Sequence, residues 1–182
     1  MHMNSLSVYD KNTLEFVTVA VEFCSWLERD FAADRFRFVD QATKLLPLLY
    51  LKVSLLPETP VPDEADGVAT GFITEETYDI LRARIAALLG EHDSYLDTFL
   101  PDMIYSDTPV IAFISENLAD MYQDLGNFAY LFRQGYEETM SLALSLCTAT
   151  FRQYWGQSLL NALKALHAIR HNEDIHLSGS QA

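Results

Sequence analysis

Glu116, Asp120 and Asp124 recur at four-residue intervals in the stretch 115–127, with Gln123 and Asn127 beside them. Oxygens repeated at that interval rise from one face of a helix, and a hard divalent cation such as magnesium needs several oxygen ligands at fixed distance. The chemistry they could support is metal-assisted pyrophosphate hydrolysis. At about 100° per residue, Glu116, Asp120, Gln123 and Asn127 fall within a stripe about 60° wide. Ile114, Leu118, Met121, Leu125 and Phe132 centre on the opposite side. A polar stripe facing away from an apolar one is what a solvated helix edge looks like, and that plainer reading is preferred.

Two further groupings could do chemistry. His167 and His171 stand one helical turn apart, a spacing that holds zinc when a third ligand such as His176 joins. The intervening residues do not complete H-E-x-x-H, and histidines near a helix C-terminus are explained by the helix dipole. Trp155, Gln157 and Asn161 surround Gly156, a mid-helix glycine that costs about 1 kcal/mol relative to alanine. Close approach by another helix or a bulky ring would justify it, and Gln157 and Asn161 would then line a polar notch beside Trp155. The acids around His92 (Asp93, Asp97, Asp102 and Asp107) lack the loop grammar of a calcium site, and Asp93 and Asp107 suit helix caps. Cys24 and Cys147 sit on apolar helical faces, where thiols are packing residues. No nucleophile comes with a readable His/Asp partner, and there is no P-loop or G-x-G-x-x-G, so no catalytic residue is assigned.

The elements that must position these groups read as helices. Residues 136–171 contain no proline and repeat apolar residues at steps of three and four: Met140, Leu144, Cys147, Phe151, Tyr154, Trp155, Ser158, Ala162, Ala165 and Ile169. As one helix this run would measure about 54 Å. Leu142, Leu146, Ala149 and Leu160 form a second apolar strip roughly opposite, which either is buried too or meets a partner. Upstream, Thr108-Pro109 reads as a cap with proline at the first helical position, opening a helix that carries the acidic stripe to about Gln134. Gly135 then makes the last two long helices antiparallel neighbours. Earlier in the chain a helix opens with a capping box at Asn12 and Glu15. A second opens at Asp34, with a buried kink or break at Pro47. A third begins after Thr74 and stops at Gly90. A short one starts at Ser94, with Tyr95, Leu96 and Phe99 inward, and ends at Pro101. No stretch reads as a convincing strand.

The expected fold is all-α: a single-domain bundle of five to seven helices in antiparallel hairpins over residues 11–171, with a long C-terminal helix. Residues 1–10 are expected to be a flexible N-terminus, 57–73 an acidic proline-rich loop, and 172–182 a flexible tail. The chain has 182 residues, 49% of them hydrophobic, enough to bury a sizeable single core. A net charge of −14, with no Lys/Arg cluster to offset it, repels phosphate backbones and anionic membranes, so neither nucleic acid nor membrane is an expected partner. Two buried thiols, no signal-peptide pattern at the start and no apolar run of about 18 residues point to the cytoplasm.

Two resemblances bear on function. The segment Glu116-Asn117-Leu118-Ala119-Asp120 is similar to one magnesium-binding pair of the all-helical MazG-type nucleotide pyrophosphohydrolases, which hold the metal with Glu-x-x-Glu and Glu-x-x-Asp pairs on adjacent helices. Here the acid lies four residues before Asp120, with Asn117 in the position three before it, and the first pair is missing. The second resemblance spans nearly the whole chain, roughly residues 10–171. Leu45-Leu46-Pro47-Leu48-Leu49-Tyr50, Asn117 through Leu125, Tyr154-Trp155-Gly156-Gln157 and Ala165-Leu166-His167 together resemble a domain-of-unknown-function family found mainly in Bacteroides and related bacteria. That resemblance implies an all-helical bacterial protein and carries over no functional residues. The expectation is a non-enzymatic helical binding or scaffold protein, with a homodimer or protein partner and no cofactor. A magnesium-dependent pyrophosphohydrolase is the alternative.

Overall fold

The computed structural model describes residues 8–57, 60–61, 71–97 and 109–171. Among these residues the chain forms α1 (Lys11–Glu28), α2 (Arg35–Ser54), α3 (Glu75–Leu89), β1 (Ser94–Asp97), β2 (Val110–Phe113), α4 (Ile114–Phe132), α5 (Glu137–Thr150) and α6 (Gly156–His171). The fold is all-α, as expected, with one small antiparallel ribbon inserted before α4.

The organising element is α4, and not the C-terminal run. α1, α3, α5 and α6 all pack on α4, and α2 closes the bundle against α1 and α6. Leu118, Ala119, Met121 and Leu125 of α4 are fully buried, and Phe128 meets Phe16 of α1 at 5.3 Å between ring centroids. Gly126 is required by this packing: a Cβ there would lie 2.7 Å from the Ile73 side chain, which caps the helix flank.

Several helix signals hold. Asp34 caps α2 by accepting from the Arg37 N–H, and Thr74 caps α3 by accepting from the Thr77 N–H. Gly90 ends α3 with φ +59°, and Gly135 ends α4 with φ +79°, conformations that favour a residue without a Cβ. Others fail for local reasons. α1 starts at Lys11 with Asp10 in the cap position, and Glu15 is turned to Lys52 of α2 at 2.7 Å, away from a capping box. α2 runs unbroken through Pro47, which is exposed together with Leu48, so solvent can reach the Thr43 carbonyl that the proline leaves without a donor. Val8 of the expected flexible N-terminus is buried, and so is Ile73 at the end of the expected loop. Residues 1–7, 58–59, 62–70, 98–108 and 172–182 lie outside the described residues.

Two corrections matter for the site. Ser94–Asp97 is a strand and no helix: it pairs in register with β2, Tyr95 opposite Ala112 and Leu96 opposite Ile111. The sequence Ser-Tyr-Leu-Asp is too short to show a period, and its partner Val-Ile-Ala-Phe favours extended backbone. The expected opening of α4 at Thr108-Pro109 is likewise replaced by β2, with the helix starting at Ile114. Thr108, Phe99 and Pro101 fall outside the described residues.

The C-terminal run is helical throughout but carries one π-helical turn, Phe151–Trp155, between α5 and α6. Of the two expectations for Gly156, a close helix or a bulky ring, the structure has a ring, Phe151: a Cβ on Gly156 would lie 2.5 Å from the Phe151 carbonyl oxygen and 2.9 Å from its ring. A wide turn re-phases the helix beyond it. Tyr154 of the expected apolar face is 66% exposed, while Leu159, Ala162 and Leu166 carry the buried face of α6.

Candidate functional site

Asp93 sets the geometry of the ribbon end. It is buried in the 3₁₀ turn that ends α3, and its carboxylate accepts both the backbone N–H and the hydroxyl of Ser115, each at 2.7 Å. The acid thus caps α4 from outside the helix, where the dipole favours negative charge. β1 is thereby held across the first turns of α4 and along α6.

Tyr95 of β1 projects into the seam this creates. Its hydroxyl donates to Asn117 Oδ1 on α4 at 2.6 Å and also hydrogen-bonds the Asn161 side chain on α6. Asn161 accepts from Gln157 Nε2 at 3.0 Å, and its own amide donates to Asp97 at 3.4 Å. Burial, then the charge of Asp97, push the Tyr95 hydroxyl up to about 12; the hydrogen bonds it shares with Asn117 and Asn161 oppose this, and the Glu116 charge adds to it. Tyr95 is therefore a neutral phenol at any physiological pH. A cleft of about 190 Å³ opens beside it, with Tyr95, Leu96 and Asp97 on the β1 wall and Asn161, Lys164, Ala165 and Ala168 on the α6 wall. At about 30 Å³ per water that is room for about six waters, or one small organic molecule. Two elements far apart in sequence line it with a phenol, a side-chain amide and two opposite charges, and Asn117 of α4 holds the phenol.

The sequence-proposed residues separate in the fold. Trp155 is fully buried and its indole N–H donates to the Cys147 carbonyl at 3.2 Å, so it belongs to the core and not to a notch with Gln157 and Asn161. Gln157 and Asn161 do pair, but Asn161 turns toward Tyr95 and Asp97. Of the acids, Glu116 and Asp120 are exposed and Asp124 is half-buried. Asp120 accepts from the Tyr78 hydroxyl of α3 at 2.8 Å, and Asn127 accepts from the Ile73 N–H at 2.9 Å, so the stripe is partly covered by α3 and the residues before it. Burial holds the Asp120 carboxyl above the usual range, while the bond from Tyr78 opposes that. Burial and the neighbouring Asp120 charge push Asp124 up to about 6. His167 and His171 lie 4.5 Å apart between ring centroids, tilted by 46°, on the exposed end of α6; His176 lies outside the described residues, as do Asp102 and Asp107. Among the described residues, no three of His, Cys, Asp and Glu are gathered so as to hold a metal ion.

Sequence reasoning singled out Asn161 but missed Tyr95, Asp97, Asn117 as a partner, and Lys164. Its inward Tyr95 was right in direction and wrong in backbone. A larger groove of about 380 Å³ lies between α1 and α4, walled by Val17, Val21 and the stacked Phe72 and Tyr130. It is apolar, and its acid, Glu28, already accepts from Tyr122 at 2.8 Å. Cys24 lines it with its thiol pushed up to about 12 by burial, and burial raises the Cys147 thiol well above its ordinary value, so neither is a nucleophile.

Among the described residues, six helices braced by a small ribbon define the class, and the comparisons give the family. Residues 7–172 match the family described as a domain of unknown function, DUF5063, and the chain belongs to it. It is also similar to the crystal structure of protein BF1032 from Bacteroides fragilis, with 41% identity, 91% of this chain and 96% of that one covered, and a TM-score of 0.76. None of the curated proteins matches the chain. Among the described residues no helix is long and apolar enough to cross a membrane.

Proposed function

We propose that this chain is a non-enzymatic, cytoplasmic helical binding protein whose ligand is a small polar molecule seated beside Tyr95. The observation that carries this reading is the convergence of Tyr95 and Asn161, from β1 and α6, on one small cleft, with the Tyr95 hydroxyl fixed by Asn117 of α4. Hydrogen-bonding groups fixed on separate elements hold a ligand's orientation at little entropic cost. No activated nucleophile accompanies them, and the raised Tyr95 hydroxyl makes a weak acid and no base, which supports binding over catalysis. The cytoplasmic assignment is supported by two buried free thiols, Cys24 and Cys147.

The test is a thermal-shift screen of the full chain against free amino acids, short carboxylates, amines and monosaccharides, run beside Asn161→Leu. A ligand at a hundred times its dissociation constant adds about 2.7 kcal/mol. At least one class should raise the melting temperature of the natural chain and not of Asn161→Leu. Shifts that survive the substitution unchanged, or no shift from any class, would overturn the reading.

A homodimer is a second proposal, supported by the outer face of the ribbon. The cross-strand pair Leu96 and Ile111 is 60% and 61% exposed, with Phe113 on the same face. Light scattering should show a dimer that Ile111→Glu dissociates; a monomer at high concentration would remove this proposal.

A further inference from the structure

We infer that the groove between α1 and α4 is a second ligand site, and that it takes a medium-length alkyl carboxylate of the fatty-acid class. Tyr122, Gly126, Ala129 and Arg133 recur along it at steps of four, three and four, so they share one flank of α4. That flank is distinct from those of Asn117 and Asp120. The floor is open because Gly126 and Ala129 are small, and Ile73 closes against the bare Gly126 backbone. Val21 of α1 is 45% exposed, and the stacked rings of Phe72 and Tyr130 are 52% and 37% exposed. Three large apolar side chains thus border one cavity of about 380 Å³, and the water against them is what an apolar ligand would displace.

Charge sets the direction of the ligand. α1 and α4 run antiparallel: Phe16 meets Phe128 toward one end, and Glu28 takes the Tyr122 hydroxyl toward the other. Arg133 belongs to the first end, exposed on the groove rim, and no acid of the described residues pairs with it. A carboxylate there meets a guanidinium in its favoured forked geometry. Glu28 repels an anion at the other end, so a second carboxylate is disfavoured and the rest of the ligand is apolar. Tyr122 and Arg133 lie about 16 Å apart along α4 at about 1.5 Å per residue, a length that a single aromatic ring fills only in part. An extended alkyl chain matches it. The net charge of −14 disfavours anions at large, so a preference for carboxylate must come from Arg133 itself.

The experiment follows the methyl signals of Val21 and Ile73 in the labelled full chain as octanoate, decanoate, decan-1-ol and decyltrimethylammonium are added below micelle-forming concentrations. Decanoate should give saturable shifts there and bind about tenfold more tightly than octanoate, since each buried CH₂ contributes about three- to fourfold. It should also bind about tenfold more tightly than decan-1-ol or the cationic probe, the share of one charge-assisted contact. Arg133→Gln, a change at an exposed position, should bring decanoate to the level of decan-1-ol and leave the alcohol unmoved. Decyltrimethylammonium as tight as decanoate, affinity independent of chain length, or decanoate unchanged by Arg133→Gln overturns the inference. Equal shifts at the exposed Leu96 and Ile111 methyls also overturn it, since the probes would then be adsorbing to any apolar surface. Val21 and Ile73 signals that stay still with every probe overturn it as well, the groove then being closed to ligands. The probe series on the natural chain stands even where the substitution disturbs folding. The Tyr95 cleft lies on another flank of α4, so failure here leaves the reading of that cleft as it stands.

Discussion

Two tyrosines reach α4 from outside, and they do different things there. Tyr78 of α3 gives its hydroxyl to Asp120, a carboxylate exposed on its other side. Tyr95 of β1 gives its hydroxyl to Asn117, shares it with Asn161 of α6, and borders a cleft. The first is a clasp: one donor, one acceptor, two helices drawn together, with water available to the acceptor if the donor is lost. The second is a junction in which Asn161 already serves several partners and the space beyond is kept open by Ala165 and Ala168. The lesson is that a conspicuous charge pattern and a site are not the same thing. Of the carboxylates that stand out in the sequence, Asp120 is spent on Tyr78 of α3, while a phenol, an amide and two opposite charges line the cavity.

The comparison can be broken at its root. Asp93→Ala leaves the Ser115 N–H and hydroxyl of the buried α4 start without acceptors, at a cost of about 3 kcal/mol. Urea unfolding should register that loss, and hydrogen exchange should rise at the ribbon and the first turn of α4 well before it rises at the α3–α4 seam. Equal loosening on both sides would show that the two regions are not independent.

A comparable loss tests the frame that carries Asn161. Gly156→Ala drives a Cβ to 2.5 Å from the Phe151 carbonyl oxygen, a backbone atom that cannot swing aside. The π-helical turn must rearrange, and about 2 kcal/mol of stability should go with it, read as a lower urea midpoint. An unchanged midpoint would mean that the turn is not held by the bare glycine.

Smaller effects separate the two hydroxyls directly. Tyr95→Phe strands amide groups in a half-buried seam and should cost about 1–2 kcal/mol, whereas Tyr78→Phe returns Asp120 to water and should cost about 0.5–1 kcal/mol. The reverse order in chemical unfolding would make Tyr78 the more committed group.

The pH dependence belongs to the clasp side. Asp124 is held up at about 6, above its unfolded value near 4, so between those values the folded chain binds more protons than the unfolded chain. Its contribution to stability is therefore present at low pH and is lost as pH rises from about 4 to about 6. Asp120 is raised in the same sense, so Asp124→Asn should flatten this loss and not abolish it. Urea midpoints taken across that range test it; equal slopes in the two proteins would remove Asp124 from the account.

How legible each feature was in the sequence depends on how it is encoded. Helical periodicity is local, so α1 to α4, the helical run that holds α5 and α6, the stops at Gly90 and Gly135, and a close approach at Gly156 were readable. The ribbon was not, because four residues per strand are too few to show alternation and the two strands are not neighbours in the chain, Asp97 pairing with Val110 and Ser94 with Phe113. The cleft failed with it: once Ser94–Asp97 is taken as a helix, Tyr95 and Asp97 cannot be placed on one face beside α6. Asn161 was found because Gly156 drew attention to its turn. Tyr154, expected on the apolar face, was misplaced because the π-helical turn shifts the phase by an amount no regular period predicts.

The central claim is that ligand chemistry belongs to the Tyr95 side of α4 and not to the Tyr78 side. The most direct measurement is an NMR spectrum of the full chain with labelled tyrosine rings, recorded as the defined panel of small polar molecules is added. The account predicts that the Tyr95 signals move in a saturable way while those of Tyr78 stay fixed. Saturable movement at Tyr78 with Tyr95 unmoved would contradict it.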